Sequence, residues 1–189
     1  MNAWFDDARR LDTAVYAAIA STETPALDRA MSRISRAANL SGLWLAAAAV
    51  LAAAGGPEGR RAAKQGLASI AVASALVNVV VKPLTRRHRP DRVAEEVPQA
   101  RQVRMPGSSS FPSGHAASAF AFATGVAHAQ PAAGVAVRAL AGLVSYSRVH
   151  TGVHFPGDVL AGAMIGVTVA EATTRTLEAR RAAAGSRQI

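Results

Sequence analysis

The chain has 189 residues, half of them hydrophobic, a net charge of +9 and no cysteine, which excludes disulfide scaffolds and thiolate chemistry. Only 17% of the residues are charged, below the ~25% of an ordinary soluble domain; with a mean hydropathy of +0.17 this suits a small-residue helical membrane protein. The basic balance fits anionic lipid or a phosphorylated substrate, and without a basic stripe interleaved with aromatics it does not fit nucleic acid.

In chain order, residues 1–38 mix charge with apolar positions at helical spacing: Leu11, Val15, Ala18 and Ile19, then Leu27, Met31 and Ile34. Pro25 divides them, so two amphipathic helices at a membrane surface are expected. The opening "MNAWFDDARR" lacks the basic-then-apolar order of a cleaved signal peptide. Five apolar segments follow, at 40–57, 62–81, 113–131, 132–147 and 156–174. Each is close to, or slightly short of, the ~20 residues that span a bilayer. Alanine is a weak hydrophobe, so a soluble helical core is the competing reading. The number of segments and the small residues Ala161, Gly162 and Gly166, which let membrane helices approach, favour the membrane. The expectation is therefore an all-α integral membrane bundle with about five transmembrane helices. It forms a single domain over 1–189: amphipathic helices to 38, a core over 39–177 and a basic tail over 178–189. The connection from Pro83 to Pro112, with its prolines, serines and mixed charges, reads as a long loop.

Consecutive helices of a bundle alternate in direction. The second apolar segment ends at Lys82 and the third begins at Ser113; the fourth ends at Ser147 and the fifth begins at Pro156. Helix counting alone thus puts "KPLTRRHRP", "SSSFPSGH" and "SRVHTGVHFPGD" at one end of the bundle. The turns near Gly55 and Ala129 fall at the other.

These clusters admit bland and sharp readings. Ser113 before an apolar helix is an ordinary N-cap, or part of an anion site built from free backbone N–H groups, which Gly114 lets a ligand approach. Asp158 is the only acid between Glu96 and Glu171. It lies in the first turn of a helix capped at Phe155, either as a helix-start acid or as the group that holds one nitrogen of His154 and frees the other as a nucleophile. His150, His154 and Asp158 are spaced four apart as metal ligands can be, but Gly152 and Pro156 interrupt the helix that would align them, so no metal is expected. Lys82, Arg89 and Arg148, with helix N–H groups, two histidines and one acid, match what phosphoryl transfer without metal or other cofactor requires.

The clusters together resemble the signature of the phosphatidic acid phosphatase type 2 superfamily. Lysine, six residues and Arg-Pro appear as Lys82 to Arg89-Pro90; Pro-Ser-Gly-His as Pro112 to His115; and Ser-Arg, five residues, His, three residues and Asp as Ser147-Arg148, His154 and Asp158. The resemblance implies that His154 attacks phosphorus to form a phosphohistidine, Asp158 orients it, and His115 protonates the leaving alkoxide. Lys82, Arg89, Ser113, the Gly114 backbone and Arg148 would bind the phosphate. His150 falls at a position the signature leaves free, and His88 and His128 read as solvated or packed. The implied protein is a lipid phosphate phosphatase of a bacterial cell membrane, multi-pass among membrane lipids. It would act on a phosphate monoester or diphosphate of a polyprenyl or glycerolipid. A lipid-phosphate binding or transport protein, or a vanadate-dependent haloperoxidase, are the competing functions.

Overall fold

The computed structural model describes residues 3–186, and their regular elements are all helical. α1 (Ala3–Ala20) and α2 (Pro25–Ala37) are separated where expected, with Pro25 at a first helical position that needs no N–H donor. A 3-10 turn at Asn39–Ser41 then bends the chain by 66° into α3 (Gly42–Ala54). α4 (Gly56–Ala75) continues through a π-helical stretch, Leu76–Val81, into the single turn α5 (Lys82–Leu84). The long connection follows, relieved only by a 3-10 turn at Gln99–Arg101. Three helices finish the described chain: α6 (Gly114–Ala129), α7 (Pro131–His150) and α8 (Pro156–Gly185).

α6 is the axis. Most of its side chains are small, it is buried on most sides, and Ala116, Ala119, Phe122, Ala123 and Val126 are all fully buried. α4, α7 and α8 pack around it, α3 lies on α4, and α2 lies on α7. Trp44 and Phe122, with ring centroids 5.5 Å apart, fill the space that the alanines leave between α3 and α6. α8 approaches α6 almost backbone to backbone: a Cβ on Gly162 would lie 2.4 Å from the Ser113 carbonyl oxygen, and one on Gly166 2.3 Å from that of Ala117. The small residues seen in the sequence therefore set this helix spacing.

Helices α4, α6, α7 and α8 alternate in direction, so the expected polarity holds. The turns at Gly55 and Gln130 meet at the end away from the motifs, where a Cβ on Gly55 would sit 3.2 Å from Gln130 Nε2. One expectation needs amending, and the span count is met only in part. The basic tail is not a separate segment: α8 runs on to Gly185, with residues 187–189 outside the described chain, and Glu178 Oε1 accepts from Arg61 Nη2 at 2.8 Å and Gln65 Nε2 at 3.2 Å on α4. By length and apolar composition, one helix among the described residues qualifies as a membrane span, Gly56–Leu84 at a mean hydropathy of 1.9. The bent pair Pro25–Ala37 and Asn39–Ala54 makes a second if taken as one span. α3 and α6, at 13 and 16 residues, are short for a span, while Arg138 and Arg148 on α7 and Asp158 and Glu171 on α8 lower the hydropathy of the two longer helices.

The α6–α8 contact gives a direct test. Gly162→Ala and Gly166→Ala, which force a methyl against backbone, are each expected to lower stability by about 1–3 kcal/mol. Gly142→Ala, on an open face of α7 with nothing within 4 Å, is expected to be neutral or stabilising by up to ~1 kcal/mol. Thermal unfolding in detergent ranks the three.

Candidate active site

The loop between α7 and α8 carries His154, the candidate nucleophile. Gly152, at φ 67°, turns the chain sharply after α7 in a conformation that L side chains rarely adopt. His154 follows, 1% exposed. Arg89 Nη1 lies 3.3 Å from His154 Nε2. A guanidinium only donates, so Nε2 is the acceptor and carries a lone pair. The ring proton is therefore on Nδ1, which lies 3.4 Å from Ser110 Oγ and 3.5 Å from Asp158 Oδ2. Ser110 in turn donates to Asp158 Oδ2 at 2.5 Å. The expected His–Asp pair is present, with a serine bridging it.

Asp158 is fully buried. Its Oδ2 also accepts the Phe155 N–H at 2.9 Å, so the helix-start reading is correct too, and its Oδ1 accepts from Arg87 Nη1 at 2.9 Å. One carboxylate thus serves as cap, ion-pair partner and orienting group. Burial pushes the His154 imidazole down to about 4; the hydrogen bond to Asp158 opposes this, and the positive charges of Arg89 and Arg148 reinforce it.

The cations gather beside this ring. Arg89 is fixed by three carbonyls, those of Val153 at 2.6 Å, Ser108 at 3.1 Å and Ser109 at 3.2 Å. Ser108 Oγ also lies 3.3 Å from Lys82 Nζ and 3.4 Å from Arg89 Nη2, so one hydroxyl holds two cations together. Arg148 is 1% exposed; Nη1 donates to the Ser35 carbonyl and hydroxyl, while Nε is buried without a hydrogen-bond partner among the described residues. Lys82 Nζ lies 3.6 Å from where a Gly114 Cβ would be, at the start of α6. Ser113 is the N-cap of α6, its Oγ accepting from the Ala116 N–H at 3.4 Å and its own N–H donating to the Asp158 carbonyl at 2.9 Å. That leaves the Ser113 hydroxyl proton free. His115 lines a cleft of about 180 Å³ together with Lys82 and Gly114. Its Nε2 lies 3.1 Å from Asn39 Oδ1, an acceptor, which places a proton on Nε2. All eight sequence-derived residues therefore meet at one end of the bundle.

Several partners were not singled out from the sequence. Ser110 was one of three consecutive serines, and that run in front of Pro-Ser-Gly-His was its only signal. Arg87 was one cation among many. It bridges Asp158 and Asp12 Oδ2, lies over the Phe155 ring at 4.4 Å, and brings α1 to the head of α8, where Asp12 Oδ1 accepts the Gly157 N–H at 2.6 Å. His150 points away from His154: its Nε2 lies 2.8 Å from Asp28 Oδ1, which Arg101 Nε also reaches at 2.9 Å. His150, His154 and Asp158 therefore do not converge on one point. Fully buried Arg101 also donates to the Ile19, Ala20 and Thr22 carbonyls, pinning the α1–α2 corner over the site. His128 packs against Glu171 at 3.2 Å, at the far end.

Residues 64–182 match the PAP2 superfamily. Over 95 residues the chain is 41% identical to the decaprenylphosphoryl-5-phosphoribose phosphatase of Mycobacterium tuberculosis, in both strain CDC 1551 / Oshkosh and strain H37Rv. The alignment covers 49% of each protein, so the chain spans about half the length of the curated relatives it matches. Among solved structures it is similar to Aquifex aeolicus LpxE, with a TM-score of 0.72 and 25% identity over 87% of this chain and 95% of that one. The first transmembrane PAP2-type phosphatidylglycerolphosphate phosphatase from Bacillus subtilis shares the fold, with a TM-score of 0.69 and 24% identity over 91% of this chain and 87% of that one.

The buried imidazole has a measurable consequence. Above pH 6.5 His154 is neutral in folded and unfolded chains alike. Between 6.5 and about 4 the unfolded chain binds a proton that the folded site refuses. Its contribution to stability therefore falls as pH falls, by up to ~1.4 kcal/mol per unit. Melting curves at pH 7 and pH 5 are expected to shift against the wild type relative to His154→Asn; a constant difference between the two rejects the neutral, buried assignment.

Proposed function

The chain belongs to the PAP2 superfamily, and we propose that it is a membrane-embedded lipid phosphate phosphatase working through a phosphohistidine. Its substrate is a phosphate monoester or diphosphate of a polyprenyl or glycerolipid, and the likeness to a phosphatase named for a decaprenyl lipid favours the polyprenyl side. The carrying observation is the state of His154: a neutral ring whose Nε2 lone pair lies against Arg89, with its Nδ1 proton held by Ser110 and Asp158. Pure binding or transport of a phosphate needs cations and N–H groups but no oriented nucleophile.

The steps follow from the positions. Lys82, Arg89, Arg148, the Ser113 hydroxyl and the Gly114 N–H take the phosphoryl oxygens, and arginine forks suit such oxygens well. His154 Nε2 attacks phosphorus as the bond to the leaving oxygen breaks. Asp158 and Ser110 stabilise the positive charge that develops on the ring. His115, as the imidazolium that the negative charge of the bound phosphate stabilises, gives its Nε2 proton to the leaving oxygen in place of Asn39 and becomes the neutral ring. Water then attacks phosphorus as the phosphorus–nitrogen bond breaks and its electron pair returns to His154 Nε2; one water proton goes to the neutral His115, and inorganic phosphate departs. Charge neutralisation comes from the cations throughout, so no metal ion is required.

Exposed apolar side chains on several helices supply the lipid-facing surface: Leu45 and Val50 on α3, Val72 on α4, Leu143 on α7, and Leu160 and Met164 on α8. With them α3, α4–α5, α6, α7 and α8 make five spans of a multi-pass protein in a bacterial cell membrane, with α1 and α2 at its surface.

Purified protein in detergent is expected to release phosphate from a polyprenyl phosphate, unaffected by EDTA. His154→Asn should reduce release to background while the protein still melts cooperatively, and His115→Asn should slow it by about 10²–10⁴-fold. Acid-labile phosphate should be trapped on His154 of the wild type; turnover by His154→Asn at the wild-type rate removes the mechanism. Ser110→Ala, which deprives the Asp158 carboxylate of a charge-assisted hydrogen bond, should lower kcat about tenfold or more with a smaller change in KM.

A further inference from the structure

The cleft that holds His115 extends beyond the phosphate grip. It runs between the start of α3, the π-helical end of α4 and the first turns of α6. Besides Lys82 and His115 it is lined by Ser41, Ser74, Asn78 and Ser118, and His154 is not part of its wall. Ser74, Asn78 and Lys82 recur every four residues along one face of the helix Gly56–Leu84, which is long and apolar enough to cross a membrane, and the first two lie within the nearly uncharged run Leu67–Val81. Polar side chains in such a helix are costly unless they meet polar partners, and they mark the path of a polar ligand. Their present partners are few. Asn78 Nδ2 donates to its own helix at the Ser74 carbonyl, 3.0 Å away, and the Ser74 and Ser118 hydroxyls lie 3.1 Å apart across the cleft. Asn78 Oδ1 lies 3.7 Å from the Gly114 Cβ position, beside the phosphate grip. The helix is π-form at Asn78, a local widening found chiefly at functional sites.

Position then gives the occupant. In phosphoryl transfer the attacking and leaving atoms lie roughly in line, so with His154 on one side of the phosphorus the leaving group departs on the other, past His115. A cleft of about 180 Å³ far exceeds the ~30 Å³ share of one water, so more than an alkoxide oxygen fits. Beyond the serines and Asn78 the surface turns apolar, at exposed Leu40, Leu45, Val79 and Val80. Resting on the phosphatase reading, we infer that this cleft is a subsite for a hydroxylated leaving group. A sugar or glycerol unit is held there by Ser74, Asn78 and Ser118 between the phosphate and the lipid tail. An alkyl or prenyl chain joined directly to the phosphate would offer those groups no polar partner.

Three esters with the same tail test this: octyl phosphate, 1-O-octylglycerol 3-phosphate and 1-O-octylriboside 5-phosphate. The wild type is expected to prefer the hydroxylated esters over octyl phosphate by tenfold or more in kcat/KM. Asn78→Leu and Ser118→Ala should each shrink that ratio about two- to tenfold, the worth of one hydrogen bond. Because the ratio is taken within one preparation, it is independent of the fraction folded. Ribosyl ester ahead of glyceryl ester identifies a sugar ring, and the reverse order a glycerol headgroup. Octyl phosphate cleaved as well as either, or a ratio unchanged in both variants, overturns the subsite while leaving the phosphatase standing. No release from any ester overturns the phosphatase reading and the subsite with it.

Discussion

Every part of the site is referred to one buried carboxylate. Asp158 binds its own helix start through the Phe155 N–H, the long loop through Arg87 and Ser110, and the reactive ring through His154, while its carbonyl receives the N–H of Ser113 from the adjoining helix. A charge without solvent contact is tolerated only when its lone pairs are filled, and here the filling groups belong to the proposed site. The loop cannot settle elsewhere without stranding the anion. Placing the residues of the proposed site and satisfying a buried charge are the same event.

The opposite sign is handled less completely. Lys82, Arg89 and Arg148 crowd together, with Asp158 already committed to Arg87. Backbone carbonyls and serine hydroxyls screen the first two, and Arg148 keeps one buried donor unmatched. Such a site is held in readiness for an anion by a frame whose stability resides elsewhere, in the alanine packing around α6 and the close contact of Gly162 and Gly166 with its backbone. The contrast between a tightly packed stem and a strained cationic end is a common way for function to be carried on a fold.

Much of this was legible in the residues. Apolar segment boundaries gave helix number and direction, and direction alone put the three polar clusters at one end. Phe155 as cap and Asp158 reaching back followed from Pro156 and the helix-start pattern. Hidden were contacts whose residue types are common: Ser110, Arg87, Asp12, Asn39 and Ser35 bear no spacing relation to the groups they hold. The span count was also poorly legible, because α3 and α6 are short for a span and α7 and α8 carry charged residues within their apolar runs. α2 shows the same limit. Its polar residues Asp28, Ser32 and Ser35 look solvated in a helical projection, yet they are buried against α7 and its neighbours.

The bonds between Asp12 and Gly157 and between Asp28 and His150 close loops of 145 and 122 residues. A chain made from its amino terminus has α1 and α2 in hand long before the partners of either exist. These first helices must wait, undocked, while the bundle grows beside them, and contacts of such range are slow to form. Only when the last helix arrives do its head and the earliest segment meet. A nascent or truncated chain thus lacks a finished site, and the capacity to handle substrate appears in a single late step.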